Sequence, residues 1–512
     1  MRTISALLIT ATLATLASAQ PVGTWTRLST GGGPNATTFR GMIFDSNRGV
    51  LVAWDALNRW EWNGSSWTAT GPDLALSYGL SRAPQMRQGL AFDPGSNQLA
   101  RAFVQELGPA SRGRIDVFEC AGFSRVFSSD NLSVSLRADG NNIENSTSAS
   151  ITIDPASGTV MALVPSGDYS GFGLNPASGY RLSLRSDPLI QAQPFNAVNF
   201  PASRARTAVA FDRLLSEYVM FGGLVYDPET REHTGSSAIT WAYGGNDWRV
   251  ASFASGTGSF PAPRYGHSLV FDASRGRTIM FGGIPNGTDQ FLDRPWEWNG
   301  VSWVRGPVGP IARFNAAMVY DSANSRVLLV GGSPVAAPGA SLSDLWEYRV
   351  PTAPRIQNQP RRIVALEGEP VRMEVTLAPD ATLRQPLWRR RGTAMTDAPG
   401  YVGSQTSTLM ISSVTFGDAG AYEFLISNDA GRAISDPVFL EVLCRVDADR
   451  SGFVDSDDFI AFTEAFERGC VSVGFGAELP DPECRARGDF DYSGFVDSDD
   501  FVGYIEAFSA GC

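Results

Sequence analysis

Three stretches of the chain carry one pattern: an Arg, seven residues, an Asp, nine residues, a Gly-Gly pair and then a Trp. They are Arg204, Asp212, Gly222-Gly223, Trp241; Arg264, Asp272, Gly282-Gly283, Trp296; and Arg313, Asp321, Gly331-Gly332, Trp346. Three copies at one internal spacing mark a repeat architecture. Apolar segments lie between Asp and Gly-Gly (SEYVMFGG, RTIMFGG, RVLLVGG), and another precedes each Asp (TAVAFD, SLVFD, AAMVYD). Short apolar runs bounded by Asp and Gly read as strands, with the Asp in a hairpin turn and the glycines ending the second strand. Asp45, Asp93 and Asp154 carry the same hairpin signal without the glycine pair, and the six Asp markers, spaced by 48, 61, 58, 60 and 49 residues, predict six units.

Tryptophans follow the same period. Trp60-Glu61-Trp62-Asn63-Gly64 with Trp67 returns as Trp296-Glu297-Trp298-Asn299-Gly300 with Trp303, and loosely as Trp241 with Trp248. Asn-Gly is a strong two-residue turn signal, so the last two strands of a unit pair across it. The sixth unit stops at LWEYRV with no such partner, and GTWTRLS around Trp25 supplies the missing strand from the N-terminus. The pattern resembles the kelch repeat, which implies a β-propeller of about six four-stranded blades over residues 20–350, with Trp25 closing the ring. Repeat-locked Trp, Arg and Asp residues then read as blade-internal packing and hydrogen-bonding groups. Loops on one propeller face are left as the surface for a glycan or protein ligand.

Little in the chain speaks for catalysis. Only two histidines occur, His233 and His267, which is scant material for a His-dependent triad or for the copper site of kelch-based oxidases. The alternative is a polysaccharide-acting enzyme of the glycoside hydrolase type, using paired carboxylates that no spacing reveals.

The N-terminus MRTISALLITATLATLASA has one positive charge, a short apolar run and the small-residue site Ala17-Ser18-Ala19. It reads as a secretory signal peptide, residues 1–19, cleaved after Ala19, and is too short for a membrane span. With no later transmembrane segment, a secreted or cell-surface location follows. The net charge of −12 is concentrated in residues 444–512, which hold 16 acidic residues against five Arg. No basic surface is indicated, so nucleic acid is not an expected partner.

After the Pro-rich linker PTAPRIQNQP the pattern changes to short strands with turn signals: GEPVRMEV, LWRRRG and STLMISSVTFGDAGAYEFLISNDAG. Residues 351–443 resemble an immunoglobulin-like β-sandwich: Trp388 matches its buried tryptophan and Asp418-Ala419-Gly420-Ala421-Tyr422 its tyrosine corner. Val375 and Phe424 stand where the two cysteines are expected, and a spacer or adhesive role is implied.

The nonapeptide SGFVDSDDF occurs twice in the tail, at 451–459 and 493–501. In the frame D-x-D-x-S-G-F-V-D-x-x-D, Asp447, Asp449, Ser451, the Phe453 carbonyl, Asp455 and Asp458 occupy positions 1, 3, 5, 7, 9 and 12. Asp489, Asp491, Ser493, Phe495, Asp497 and Asp500 do so in the second copy. Oxygen ligands at these spacings, with glycine at position 6, are the EF-hand arrangement for calcium, so two ions are expected. Each loop runs into an apolar helix, with Phe459, Phe462 and Phe466 on one face of the first and Phe501, Tyr504, Ile505 and Phe508 on the second. Cys444, Cys470, Cys484 and Cys512 also lie here; clustering in an exported chain predicts two local disulfides. The 42-residue offset favours Cys444 with Cys470 and Cys484 with Cys512, the other two connectivities staying open. Duplicated loop-plus-helix units with Asp at position 12 resemble the dockerin module, here ending in Gly-Cys. The resemblance implies a cohesin-like or surface-anchoring partner contacted through Ser456, Asp457, Ser498 and Asp499. The expectation is therefore a mainly β, non-enzymatic binding or display protein, attached through a small α-helical calcium module.

Overall fold

Every Asp marker stands at the last residue of a strand and shapes the reversal that follows. Gly41–Asp45, Gly89–Asp93, Ser150–Asp154, Ala208–Asp212, Ser268–Asp272 and Ala317–Asp321 each pair antiparallel with the next strand. The carboxylate caps the turn: Asp45 Oδ1 accepts from the amides of Asn47 and Arg48, and Asp212 Oδ1 from those of Leu214 and Leu215. The computed structural model describes residues 23–467, 490 and 498–510, except 36–38, 40, 56, 73–88, 106–109, 120–124, 138–149, 165–177, 186–192, 195–200, 202–203, 228–231, 245–246, 254–259, 286–292, 335–339, 379–383, 429, 450 and 452. The expected signal peptide lies outside the described residues.

Those hairpins belong to six four-stranded antiparallel sheets among the described residues. In five of them the strands lie in chain order from one edge to the other. The sixth takes its fourth strand from the N-terminus, as Trp25 predicts: Thr24–Ser29 pairs with Leu345–Arg349, placing Trp25 opposite Tyr348. The first strand of each sheet lies against the first strand of the next, and that of the sixth against that of the first. The fourth unit carries an extra hairpin, Leu224–Asp227 with Glu232–Ser236, in which His233 sits opposite Tyr226. Apolar faces meet between sheets: Ile279, Phe281, Met318, Val327, Leu329 and Tyr348 form one buried cluster, and Ile43, Val52, Trp54, Phe92, Leu99 and Phe118 another.

The Arg and Gly-Gly of the repeat form a stitch. Within a repeat, the guanidinium donates to the carbonyl of the first glycine: Arg204 to Gly222 (3.1 Å), Arg264 to Gly282 (3.2 Å) and Arg313 to Gly331 (3.0 Å). Between repeats, the second glycine's amide donates to the next Arg carbonyl: Gly223 to Arg264 (2.9 Å) and Gly283 to Arg313 (3.0 Å). A second repeated group joins the turn Asp, a following Arg and the Glu beside the Trp. Arg48 bridges Asp45 and Glu61, Arg275 bridges Asp272 and Glu297, and Arg326 bridges Asp321 and Glu347.

Two compact units divide the chain. The first comprises 1–358, 376–386 and 424–436; the second comprises 359–375, 387–423 and 437–512. In the second, Arg362–Leu366 runs parallel to Val438–Leu443, Val371–Glu374 pairs with Thr408–Ile411, and Trp388 is fully buried. The Trp388 indole donates to the Thr406 carbonyl (2.9 Å), and Tyr422 Oη donates to the Asp418 carbonyl (2.8 Å), which is the predicted tyrosine corner. Val375 and Phe424, the residues at the cysteine positions, are both buried. Beyond this sandwich the described residues include two helices, α1 (Ser456–Glu467) and α2 (Ser498–Ala510). No helix among the described residues is long and apolar enough to cross a membrane.

Candidate metal centre

The strand Val438–Leu443 stops one residue before Cys444, and the chain turns at once into the first acidic frame. Three carboxylates converge there: ligand atoms of Asp447, Asp449 and Asp458 all lie within 4.8 Å of one another. Two oxygens bound to one calcium at about 2.4 Å can be at most about 4.8 Å apart, so this spacing suits a single shared ion. The loop is wound around its own carboxylates. Ser451 donates its amide to Asp447 Oδ1 (2.9 Å) and Asp449 Oδ1 (2.8 Å), while Asp449 and Asp455 donate theirs to the two oxygens of Asp458 (3.2 and 2.8 Å). Asp458, at position 12, thus closes the loop by holding both its beginning and its end.

Burial separates these groups. Asp447 and Asp458 are almost wholly buried, whereas Asp449 is exposed. The Ser451 amide holds the Asp449 carboxyl below the usual carboxylate range. Three like charges in so small a space repel one another, and hard carboxylate oxygens at these distances select a hard divalent cation. The donor set therefore fits calcium. Asp455, Ser451 and Phe453 of the first frame are exposed, and Ser451 Oγ lies 3.3 Å from the Phe453 carbonyl.

Of the second frame, Asp500 is described: it is fully buried in the first turn of α2, as Asp458 is in α1. Asp489, Asp491, Ser493, Phe495 and Asp497 lie outside the described residues, as do Cys470, Cys484 and Cys512. Cys444 is disulfide-bonded. The expected partner-contact residues Ser456, Asp457, Ser498 and Asp499 open the two helices and are all exposed.

The helices pair about a local two-fold axis that the sequence offset defines. Phe459 meets Phe508 (6.1 Å) and Phe466 meets Phe501 (5.4 Å), each contact being the other advanced by 42 residues and reversed. Phe462 and its counterpart Tyr504 stack on each other, 3.8 Å apart and 3° from parallel, so the axis passes between them. The aromatic face is not uniformly buried: Phe462 and Tyr504 are core, while Phe459 and Phe501 each remain 37% exposed. Tyr504 also ties the helices to the metal loop by donating its hydroxyl to the Val446 carbonyl (3.1 Å). Burial, then the charges of Asp458, Asp447 and Asp449, push its phenol pKa upward. The repeat offset pairs Tyr504 with Phe462, but no sequence signal points to Val446, whose role rests on a backbone carbonyl.

Comparison with known proteins bears on the middle of the chain. The immunoglobulin I-set domain family matches residues 354–442. Among solved structures, the tandem Ig repeats of Dlar align at 21% identity over 21% of this chain and 72% of that one, with a TM-score of 0.17. Titin M4 aligns at 23% identity over 18% of this chain and 99% of its own, again with a TM-score of 0.17. Drosophila OTK extracellular domains 3–5 align at 28% identity over 19% and 38%, with a TM-score of 0.17. No curated protein matches the chain. With the buried Trp388 and the Tyr422 corner, the family match identifies residues 354–442 as an immunoglobulin-like domain of the I-set class.

Proposed function

We propose that this is an exported, non-enzymatic binding or display protein. Residues 444–512 act as a calcium-dependent, dockerin-like attachment module, and residues 20–350 form a kelch-like propeller of six blades that presents the ligand surface. The observation that carries the attachment reading is the convergence of Asp447, Asp449 and Asp458 at positions 1, 3 and 12 of a twelve-residue frame. The symmetric aromatic seam between α1 and α2 supports it, because two loops feeding a two-fold helix pair present near-identical exposed residues, Ser456-Asp457 and Ser498-Asp499, at two related places. The propeller reading draws support from six sheets whose first strands neighbour one another in sequence, from sixth back to first, and from the N-terminal strand pairing with Leu345–Arg349. The repeat's tryptophans are read as packing groups and not as a ligand platform, because Trp62, Trp248, Trp298 and Trp303 are buried in apolar clusters.

Calorimetric titration of the full chain with calcium tests the attachment reading. Saturation near two ions per chain, with a gain of helical signal that chelation reverses, is the expected result. No binding at millimolar calcium would overturn it. Turnover of any polysaccharide by the calcium-loaded chain would overturn the non-enzymatic reading separately.

A further inference from the structure

The hairpin of residues 424–436 belongs to the immunoglobulin-like domain by sequence, yet it is part of the first compact unit. Its two strands pair from Leu425 opposite Ile434 to Asn428 opposite Gly431. Three kinds of contact seat it on the turns of the fourth, fifth and sixth sheets. The Ile434 amide donates to the Ala273 carbonyl (2.9 Å), one residue past the turn Asp272. Ile434 is buried with Phe271 and Ala273, and Leu214, Tyr320 and Leu425 pack around them. Arg213, one residue past the turn Asp212 and 7% exposed, donates to the Ser435 carbonyl and stands 3.6 Å from Asp436 Oδ1. A fourth contact fixes the hairpin tip: Asn428 Nδ2 donates to the Thr352 carbonyl (2.8 Å), and Ala430 is buried with Val350 and Ala353.

A cavity of about 230 Å³ runs along the first strands at this end, with Arg213, Ala273, Tyr320 and Asp436 in its wall. A second cavity of about 160 Å³ lies at the other end of the same strands and is lined by Arg206, His267 and Asn315. Each turn residue that holds the hairpin sits beside a repeat Asp, but the repeat itself does not call for Arg213 or Ala273. Burying a guanidinium costs several kcal/mol unless it is paired, and the Ser435 carbonyl and Asp436 carboxylate of the hairpin supply partners to Arg213.

We propose that hairpin 424–436 is a built-in clamp that staples the turns of the fourth, fifth and sixth sheets together. The clamp goes beyond the binding and attachment reading and needs neither calcium nor ligand, so its test stands apart from that reading.

The test uses the full chain with Ala273→Cys and Ile434→Cys together. One backbone hydrogen bond between these residues puts their Cα atoms about 5 to 6 Å apart, within the reach of a disulfide. Mild oxidation of the folded protein is expected to link 273 to 434 in nearly every molecule by non-reducing peptide mapping; a folded double variant that does not link overturns the clamp. Should the double variant fail to fold, Arg213→Ala in the otherwise native chain decides. Trypsin, which here cuts only after Arg, is expected to cleave after Arg355 on the order of tenfold faster as the hairpin lifts, and an unchanged rate overturns the proposal.

Discussion

Arg264 works at both ends. Its carbonyl accepts from Gly223 of the preceding repeat, and its guanidinium donates to Gly282 of its own. The first glycine of each pair has no room for a side chain: Gly222 and Gly282 have φ of +67° and +73°, and a Cβ on either would collide with the carbonyl of the next Arg. Gly282→Ala is therefore expected to destabilise the first unit by more than about 2 kcal/mol, combining left-handed strain with a backbone clash. The midpoint of denaturant unfolding measures it. Burial lowers the pKa of Arg264 to about 9 and of Arg204 to about 10, whereas Arg275, equally buried, is raised because Asp272 and Glu297 outweigh desolvation. His267 shows the same force on a weaker base: burial first, then Arg264, lowers its pKa to about 3. A folded pKa below the unfolded value of about 6.5 means that the unfolded chain binds the extra proton between those pH values. The stability His267 contributes is thus complete above about pH 6.5 and is lost as pH falls toward 3. Between pH 6.5 and 5, above most carboxylate titration, the expected loss is up to about 1.4 kcal/mol per pH unit. Replacing His267 with Gln should flatten that slope in denaturation midpoints taken at fixed ionic strength.

At the scale of elements, one terminal strand and one helix pair carry the most. Thr24–Ser29 is the fourth strand of the sixth sheet, and Trp25 packs on Phe281 of the fifth sheet (5.0 Å) and Tyr348 of its own (4.8 Å). Tyr348 in turn accepts from the Gly23 amide (3.1 Å) and donates to Glu297 (2.5 Å). Deleting residues 20–30 strips this strand, leaves an open edge on Leu345–Arg349 and orphans the Tyr348 network. The whole first unit, not just a frayed end, is expected to melt earlier, and an unchanged calorimetric transition would refute the closure role of Trp25. In the helix pair, Tyr504→Phe removes only the hydroxyl bond to Val446 and should cost about 1 kcal/mol. Tyr504→Ala removes the stacked ring at the two-fold axis and should cost about 3 to 5 kcal/mol, read as loss of helical signal on heating.

Across the whole molecule, calcium should act on one part and spare the other. The Asp447, Asp449 and Asp458 carboxylates repel one another, so on the proposed reading cation binding is expected to be coupled to the fold of the loop and its exit helix. Replacing Asp447 and Asp458 together with Ala is expected to remove one of two ions, with titration calorimetry still finding the other. Chelation should lower the melting temperature of the helical tail while the six sheets melt as before. A shift of the sheet transition on chelation would show that the metal supports more than the tail.

The sequence by itself determined what is local or periodic. The Asp turns, the strands that end at Gly-Gly, the Asn-Gly hairpins and the tyrosine corner depend on residues close in the chain, and each recurs where its motif predicts. The pairing of Trp25 with the last sheet was also legible, because a repeat lacking one strand and a terminus holding one spare strand fit a single solution. The convergence of Asp447, Asp449 and Asp458 was legible too, since position along a tight loop decides which carboxylates come to one side of it. What the tertiary structure alone decided involves groups brought together from far apart with no period to announce them. The Arg275, Glu297 and Tyr348 network spans two sheets, and Tyr504 reaches the Val446 carbonyl 58 residues earlier. Arg213 finds the Ser435 carbonyl across 222 residues. Backbone carbonyls leave no mark in the sequence, and a charged residue reads as solvated surface until folding shows which partner lets it be buried.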